Sequence, residues 1–322
     1  MHETPIESNL RISEPLDSEP VDSEPVPGTE ARADRLSGVN GIRSVALIWV
    51  FLQHLLSVTD NASWTNVGSF SIGQAGVALF LSISGLLAAT SNKPANEWIY
   101  ARAVKIYPAY WIATLGSLLL AGLFGYKRFG AFQVASQLLG TGLFTHPNNL
   151  VNIATWFISL LLAMYLLTYV AKLTQHDFPV MLIASFLLLA MILYGKANFL
   201  LAHALTYTLS YSWTKYCQRN GEQNHAIWIT LLFFIFVLWK PVLAYSLFAM
   251  VVVQVFKQSR IQSRLLERLA DISYEFYLVH GVVLVGTSLF LSASVFVCGP
   301  IGFVLSVLTA RALRFTSRLF AV

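Results

Sequence analysis

Apolar segments, separated by short polar stretches, follow one another along almost the whole of this 322-residue chain. They lie at about residues 43–59, 72–91, 106–125, 153–171, 179–194, 197–213, 226–239, 242–256, 272–292 and 294–312. A helix needs about 20 apolar residues to span the hydrocarbon core of a bilayer. The pattern therefore predicts an all-α integral membrane protein with about ten transmembrane helices. A further apolar segment at 130–150 is shorter, which is typical of a re-entrant or interfacial segment.

The positions of the basic residues indicate how these helices are oriented. If the amino terminus is cytoplasmic, 17 of the 21 lysines and arginines fall on the cytoplasmic side and 4 on the opposite side. Because basic residues are enriched on the cytoplasmic side of membrane proteins, this asymmetry supports ten spans with both termini in the cytoplasm. The net charge of +5 reflects these basic flanks and does not indicate a nucleic-acid partner.

The first residues of the chain differ in composition from the rest. Only 11% of all residues are charged, yet nine of the 16 acids precede residue 35, around the near-repeat SEPLDSEPVDSEPV. An acidic, proline-rich segment without aromatic residues cannot bury a core. We therefore expect a disordered tail at 1–36, followed by a membrane domain at 37–322. The two cysteines, Cys217 and Cys298, match no metal-binding or disulfide pattern.

One ionisable residue falls in the middle of the first apolar segment. Arg43 and His54 are eleven residues apart in RSVALIWVFLQHLLSVT, or about 16 Å along a helix. If Arg43 lies at the membrane boundary, His54 lies near the bilayer centre, where ionisable side chains are costly and mark functional sites. The alternative is a neutral imidazole that only hydrogen-bonds to a neighbouring helix.

A second set of basic residues opens the third apolar segment. Arg102 and Lys105, in YARAVKIYPAYW, share one helix face and could form a cationic mouth with Arg43. Such a cluster suits phosphate groups, although anchoring to anionic lipid gives the same pattern. Acyl-coenzyme A, with its charged nucleotide head and long thin arm, would reach from this mouth to His54. The buried, neutral imidazole could then accept the proton of a hydroxyl that attacks the thioester.

Four segments resemble motifs of the acyltransferase family three membrane proteins. GVNGIRSVALIWVFLQH is similar to the family's first-helix motif, in which ten residues separate Arg and His, and GQAGVALFLSISGLLAAT is similar to its second-helix signature. RAVKIYPAYW resembles the paired basic motif followed by Tyr-Pro, and LADISYEFYLVHGVVL resembles the late motif with Ser-Tyr, Tyr-Leu and His. The four segments occur in the family's order between residues 37 and 290.

The resemblance implies an enzyme of the bacterial inner membrane. It would transfer an acyl group, usually acetyl, from cytoplasmic acyl-coenzyme A to a hydroxyl of a surface polysaccharide, a lipid-linked saccharide or another small acceptor. Acyl-coenzyme A is a co-substrate, with no metal and no permanently bound cofactor. The resemblance assigns catalysis to His54 and donor binding to Arg43, Arg102 and Lys105. The residues assigned to the pocket or to structure are Ser84, Gly85, Tyr107, Ser273, Tyr274, Glu275, Tyr277 and His280.

Three positions depart from the family pattern. Asn40 stands where the family often has Asp, and Lys105 replaces an arginine, which gives up bidentate recognition of phosphate. Leu161 occupies the place of the glutamate in the family's Trp-x-x-Ser-x-Glu segment. Glu275 and Asp271 are the candidates for a replacement carboxylate.

Two other functions are compatible with the sequence. Polar residues at the membrane midplane also serve transporters, so a flippase for a lipid-linked glycan is one alternative, although the chain lacks two similar halves with broken helices. Leu161 supports the other alternative, a non-catalytic family member that acts as a partner subunit. His203, in the weakest predicted span, is expected to hydrogen-bond to a neighbouring helix.

Overall fold

A computed structural model describes residues 27–67, 70–125, 128–152, 154–195, 198–221, 235, 238–257, 259, 263–291 and 294–320, with the backbone alone at 27–37. Helices make up most of it. They are α1 (Pro27–Val58), α2 (Ile72–Ala89), α3 (Ala95–Leu123), α4 (Ala131–Leu138), α5 (Gly142–Thr145), α6 (Thr155–Leu173), α7 (Asp177–Tyr194), α8 (Phe199–Asn220), α9 (Ala244–Phe256), α10 (Arg264–Asp271), α11 (Ser273–Phe290) and α12 (Val295–Leu319). Two short strands, β1 (Asn66–Val67) and β2 (Phe70–Ser71), pair antiparallel between α1 and α2.

The first helix begins earlier than the sequence predicts. Because α1 starts at Pro27, the backbone of residues 27–36 is helical, whereas a disordered tail was expected there. The segment PGTEARADRL explains the difference, since proline suits the first helical turn and glutamate, alanine, arginine and leucine favour helices. The Ser-Glu-Pro repeats lie in residues 1–26, outside the described residues.

Six of the described helices are long and apolar enough to cross a membrane, namely Gly38–Val58 of α1, α2, α3, α6, α7 and α12. The pair α10–α11, bent by 76°, would make a seventh span. The predicted span 197–213 lies in α8, which is not among these helices, and α9 is shorter. Most of the predicted span 226–239 lies outside the described residues. The all-α membrane architecture is confirmed, and the count of ten spans stays a prediction.

Aromatic side chains of α3 bind the end of α4, the first of the two short helices that follow α3. α4 and α5 have eight and four residues, too few to span a membrane. The hydrogen bonds run from Tyr107 Oη to Leu139 O at 3.2 Å, from Tyr110 Oη to Gln137 O, and from Trp111 Nε1 to Leu138 O at 2.9 Å. They satisfy carbonyls at the end of α4, where donors within the helix run out. The segment 107–111 therefore holds the end of α4 in place.

Small residues let α2 pack closely between α1 and α8. A Cβ on Gly76 would lie 2.7 Å from the carbonyl oxygen of Ala46 on α1, and one on Gly85 would meet the carbonyl oxygen of Tyr207 on α8. Ser210 Oγ donates to the carbonyl oxygen of Ser82 at 2.7 Å across the same α2–α8 contact. Close backbone approach of this kind is typical of helices packed in membranes.

Four parts of the chain meet at one end of the bundle. They are the middle of α1, the first half of α3, the α10–α11 junction and the end of α12. Hydrogen bonds join them, from Ser44 Oγ to Leu266 O at 2.5 Å, from Tyr274 Oη to Ile106 O at 2.9 Å, and from Arg314 Nη1 to Asp271 O at 2.6 Å. The elements that carry three of the four sequence motifs are thereby fixed around one space.

Candidate active site

The space between these elements is a cavity of about 400 Å³, called here the cationic cavity. It lies within the size range of sites for small molecules and cofactors. The predicted site residues on its wall are Arg43, Ser84, Arg102, Lys105, Ser273, Tyr274, Glu275 and Tyr277. All four sequence motifs therefore contribute to one cavity, although their residues are spread over more than 230 positions of the chain.

Arg102 is held against two aromatic rings. Its guanidinium carbon lies 5.5 Å from the ring centroid of Trp98 and 5.6 Å from that of Tyr165. Both rings are buried, and a guanidinium over an aromatic face is attracted to the ring's π electrons. The aromatic pair thus orients the guanidinium group, which forms no ion pair with an acid among the described residues.

The other two predicted donor-binding cations also lack a carboxylate partner in the described part of the chain. Arg43 Nη1 lies 3.5 Å from the Asn40 side-chain oxygen, a neutral acceptor at the limit of hydrogen-bonding distance. Lys105 is exposed to the cavity. The ion pairs among described residues, Lys215–Asp177 and Arg314–Asp271, include neither of them. The cavity therefore offers positive charge to a polyanion.

Leu161 and both candidate carboxylates lie on the cavity wall. Glu275 Oε2 is buried and has no hydrogen-bond partner among the described residues. Asp271 is largely exposed and its carboxylate is 4.0 Å from Arg314 Nη1. Of the two, Glu275 is the acid that has a carboxylate oxygen buried in the cavity wall without a hydrogen-bond partner among the described residues.

His54 lies outside the lining of the cavity and beside a second histidine. Their ring centroids are 5.0 Å apart, with the rings edge to face. His280 is fully buried, and its Nδ1 lies 2.8 Å from the carbonyl oxygen of Tyr277. Since a carbonyl only accepts, Nδ1 carries the proton and the neutral ring has its lone pair on Nε2. That nitrogen is buried without a partner in the described structure, which leaves an acceptor next to His54.

Three aromatic rings that contact one another form part of the wall of the cationic cavity. Phe80, Phe157 and Tyr277 line the cavity, and the centroid of Tyr277 lies 4.8 Å from Phe157 and 6.2 Å from Phe80. Tyr277 also contacts His280, at 5.6 Å between ring centroids. These three residues, called here the aromatic layer, form a continuous part of the cavity wall that reaches His280 through Tyr277, and His54 and His280 do not line the cavity itself.

The remaining motif residues have structural positions. Gly85 permits the α2–α8 contact and Tyr107 helps to dock α4, so neither lines the cavity. His203 Nε2 lies 2.6 Å from the Gln74 side-chain oxygen on α2, which confirms the expected bond between helices. Within the described residues, no group of three histidine, cysteine or acidic side chains is placed to hold a metal ion.

Several cavity residues were not predicted from the sequence. Arg314 and Arg318 line the cavity from the end of α12, whereas the sequence pattern indicates only basic residues that flank a membrane helix. The segment RALRFTSR did contain a signal, because arginines spaced by three and four residues share a helix face. Tyr165, which contacts Arg102, carried no such signal, since an aromatic residue in an apolar helix is usual in a membrane protein.

Comparison with known proteins adds one finding. A family model described as an acyltransferase domain matches residues 36–313. This range includes the residues of the cationic cavity from Arg43 to Tyr277 and ends just before Arg314. No curated protein and no solved structure matches the chain.

Proposed function

The chain belongs to this acyltransferase family, and on that premise we propose that it acylates a hydroxyl group, with cytoplasmic acyl-coenzyme A as the donor. Acetyl is the acyl group that the family resemblance favours. The acceptor is a surface glycan, a lipid-linked saccharide or another small molecule, and the enzyme resides in a bacterial inner membrane. The observation that carries the proposal is α1, which holds Arg43 on the wall of the cationic cavity and His54 about 16 Å further along the same helix.

The donor enters with its phosphates among Arg43, Arg102 and Lys105. Charge-assisted hydrogen bonds to phosphate oxygens are stronger than those between neutral groups. The two aromatic rings already restrict the Arg102 side chain, so it loses less conformational entropy when a phosphate binds. The thin arm of the donor then points along α1 towards the histidines. Its passage requires the aromatic layer of Phe80, Phe157 and Tyr277 to move aside.

The reaction needs one base and one proton. His54 accepts the proton of the acceptor hydroxyl as the oxygen attacks the thioester carbonyl carbon. The tetrahedral intermediate collapses with cleavage of the carbon–sulfur bond. The leaving thiolate takes the proton back from the imidazolium, so the products are the acylated acceptor and free coenzyme A. Neutral His54 is regenerated for the next cycle.

His280 is a positioning residue for this base. Its Nε2 carries a lone pair and has no hydrogen-bond partner in the described structure. The centroid of the His280 ring lies 5.0 Å from that of the His54 ring. If a ring N–H of His54 donates to that nitrogen, the other nitrogen of His54 is left unprotonated for the acceptor hydroxyl. The second histidine thus performs the orienting role that a carboxylate performs in many catalytic sites.

The aromatic layer has a chemical consequence as well. Once the thin arm has passed, the rings of Phe80, Phe157 and Tyr277 pack around it, so water that enters the polar cavity with the nucleotide head is kept away from the thioester carbon. Exclusion of water protects a reactive intermediate from hydrolysis. We therefore expect transfer to the acceptor to exceed hydrolysis of the donor.

Donor turnover by the purified protein tests the proposal. Full-length protein in proteoliposomes receives acetyl-coenzyme A labelled in the acetyl group, together with a crude extract of membrane lipids and glycans. Label that appears in a lipid or glycan fraction, in proportion to protein and time, is the expected result and yields the acceptor for identification. No transfer, combined with no coenzyme A binding, would contradict the proposal and favour the flippase.

A further inference from the structure

A second, smaller space adjoins the cationic cavity. It is a recess of about 320 Å³ at the α10–α12 contact, called here the arginine recess. Arg268, Asp271, Ile272, Arg311, Arg314, Phe315 and Arg318 line it. Asp271, Arg314 and Arg318 also line the cationic cavity, so the two spaces share a wall and form one continuous surface.

The charges of the recess come from one face of α12 and from α10. Arg311, Arg314 and Arg318 are three and four residues apart and therefore share a helix face. Arg314 donates from Nη1 to the carbonyl oxygen of Asp271 at 2.6 Å, which anchors its guanidinium at the boundary between the two spaces. Arg268 adds a fourth guanidinium from α10.

The balance of charge over both spaces is strongly positive. Together they are lined by seven lysines and arginines but only two acids. Asp271 does not cancel this excess, because its carboxylate is 67% exposed and 4.0 Å from Arg314, and exposed ion pairs are weak. A ligand that fills both spaces should therefore carry more than one phosphate.

The recess also presents a flat apolar surface. Phe315 lies on its wall between the arginines and is 70% exposed. An exposed phenylalanine among arginines suits a nucleobase, because a base can stack on the ring while guanidinium groups bind the nearby phosphate.

We propose that the arginine recess binds the 3′-phosphoadenosine end of acyl-coenzyme A. Arg268, Arg311 and Arg318 hold the 3′-phosphate, the adenine stacks on Phe315, and Arg314 lies where the ligand passes into the cationic cavity. The diphosphate then reaches Arg43, Arg102 and Lys105. This inference rests on the proposed function, since it names a further part of the same donor site, whose arginines and phenylalanine lie outside the sequence motifs.

A phosphate in this recess has two possible sources, a nucleotide and a lipid headgroup. Basic residues at the end of a membrane helix commonly attract anionic lipid. Phosphate binding alone does not distinguish the two sources. The 3′-phosphate does, because it can be removed from coenzyme A while the rest of the donor stays intact. The test therefore compares two donors and two membranes.

The experiment measures the affinity of full-length protein in nanodiscs for acetyl-coenzyme A and for its 3′-dephospho form. The variants are Arg311→Gln and Arg268→Gln. Arg264→Gln is the matched control, since Arg264 is an exposed arginine one turn from Arg268 on α10 that does not line the recess. Each preparation is measured in phosphatidylcholine alone and with phosphatidylglycerol added.

The expected result is specific to the 3′-phosphate. Each recess variant lowers the affinity for acetyl-coenzyme A by about tenfold, as expected for a lost hydrogen bond to a charged group. It leaves the affinity for the dephospho form unchanged in both membranes. The control binds both donors as the wild type does. Equal loss for both donors, no loss, or a loss only with phosphatidylglycerol would overturn the inference. A wild type that binds neither donor would instead contradict the proposed function.

Discussion

The imidazole rings of His54 on α1 and His280 on α11 lie edge to face, with their centroids 5.0 Å apart. The contact links the first and the last of the sequence motifs. His280 is anchored by the bond from its Nδ1 to the Tyr277 carbonyl oxygen, so its free Nε2 has a fixed position against which His54 can be oriented. A base whose ring is held in one orientation transfers protons more effectively than one that rotates.

The pair leads to a prediction about His280. Replacement by Phe keeps an aromatic ring but removes the acceptor nitrogen, so kcat should fall by about 10- to 100-fold while KM for acetyl-coenzyme A stays near the wild-type value. His280→Gln, whose side-chain oxygen can stand in the place of Nε2, should recover part of the loss. Steady-state kinetics of both variants checks this. Equal kcat for the two variants would mean that the nitrogen is not used.

The sequence was sufficient to predict that Arg43, Arg102 and Lys105 lie together, and it singled out His54. Arg43 and His54 share one helix, and Arg102 and Lys105 share another, so helical geometry alone fixes their relative positions. The aromatic layer could not be predicted in this way, because Phe80, Phe157 and Tyr277 come from three helices and meet only through tertiary packing. For the same reason the sequence could not show that His54 lies beyond the cavity wall.

Two other features could not be assigned to a role from the sequence alone. Tyr107 belongs to a motif beside the basic pair, yet its hydroxyl bonds to the end of α4, a contact that depends on where the chain returns after α3. The arginines of α12 were visible but had the same pattern as basic residues that anchor helices to lipid. Arg314 and Arg318 differ from basic residues that only anchor a helix, because both line the cationic cavity and the arginine recess.

Lys105 gives a prediction about donor affinity. Lys105→Met should raise KM for acetyl-coenzyme A by about tenfold, the loss expected for one charge-assisted hydrogen bond, with little change in kcat. Lys105→Arg should lower KM below the wild-type value, because a guanidinium can bind phosphate through two hydrogen bonds. Lys93→Met is the control, since Lys93 is exposed just before α3 and does not line the cavity. An equal rise in KM for the control would point to a general effect of charge at this surface.

Gly85 gives a prediction about stability. A Cβ at this position would meet the carbonyl oxygen of Tyr207, and backbone on two packed helices cannot easily move apart. Gly85→Ala should therefore lower the free energy of unfolding by about 1–3 kcal/mol, visible as a lower melting temperature in detergent. Gly116→Ala on α3 is the matched control, because a Cβ there meets nothing within 4 Å, and alanine favours the helix. Equal melting temperatures for the two variants would contradict the close α2–α8 packing.

Tyr110 gives a prediction about the short helices. Its hydroxyl bonds to the Gln137 carbonyl oxygen, and the ring is fully buried. Tyr110→Phe should make residues 131–145 more susceptible to hydrogen exchange, since a lost hydrogen bond of this kind costs about 0.5–1.5 kcal/mol. Acyl transfer should change little, because Tyr110 does not line the cationic cavity. Unchanged exchange in this segment would show that the bond does not hold α4 in place.

The central claim is that His54 is the base that activates the acceptor hydroxyl. The most direct measurement is single-turnover transfer of labelled acetyl by His54→Ala, alongside donor binding by the same preparation. His176→Ala, at an exposed histidine before α7, is the control. The account predicts that His54→Ala loses at least about 100-fold in transfer rate, binds acetyl-coenzyme A as the wild type does, and differs from a fully active His176→Ala. Full transfer by His54→Ala would contradict the mechanism.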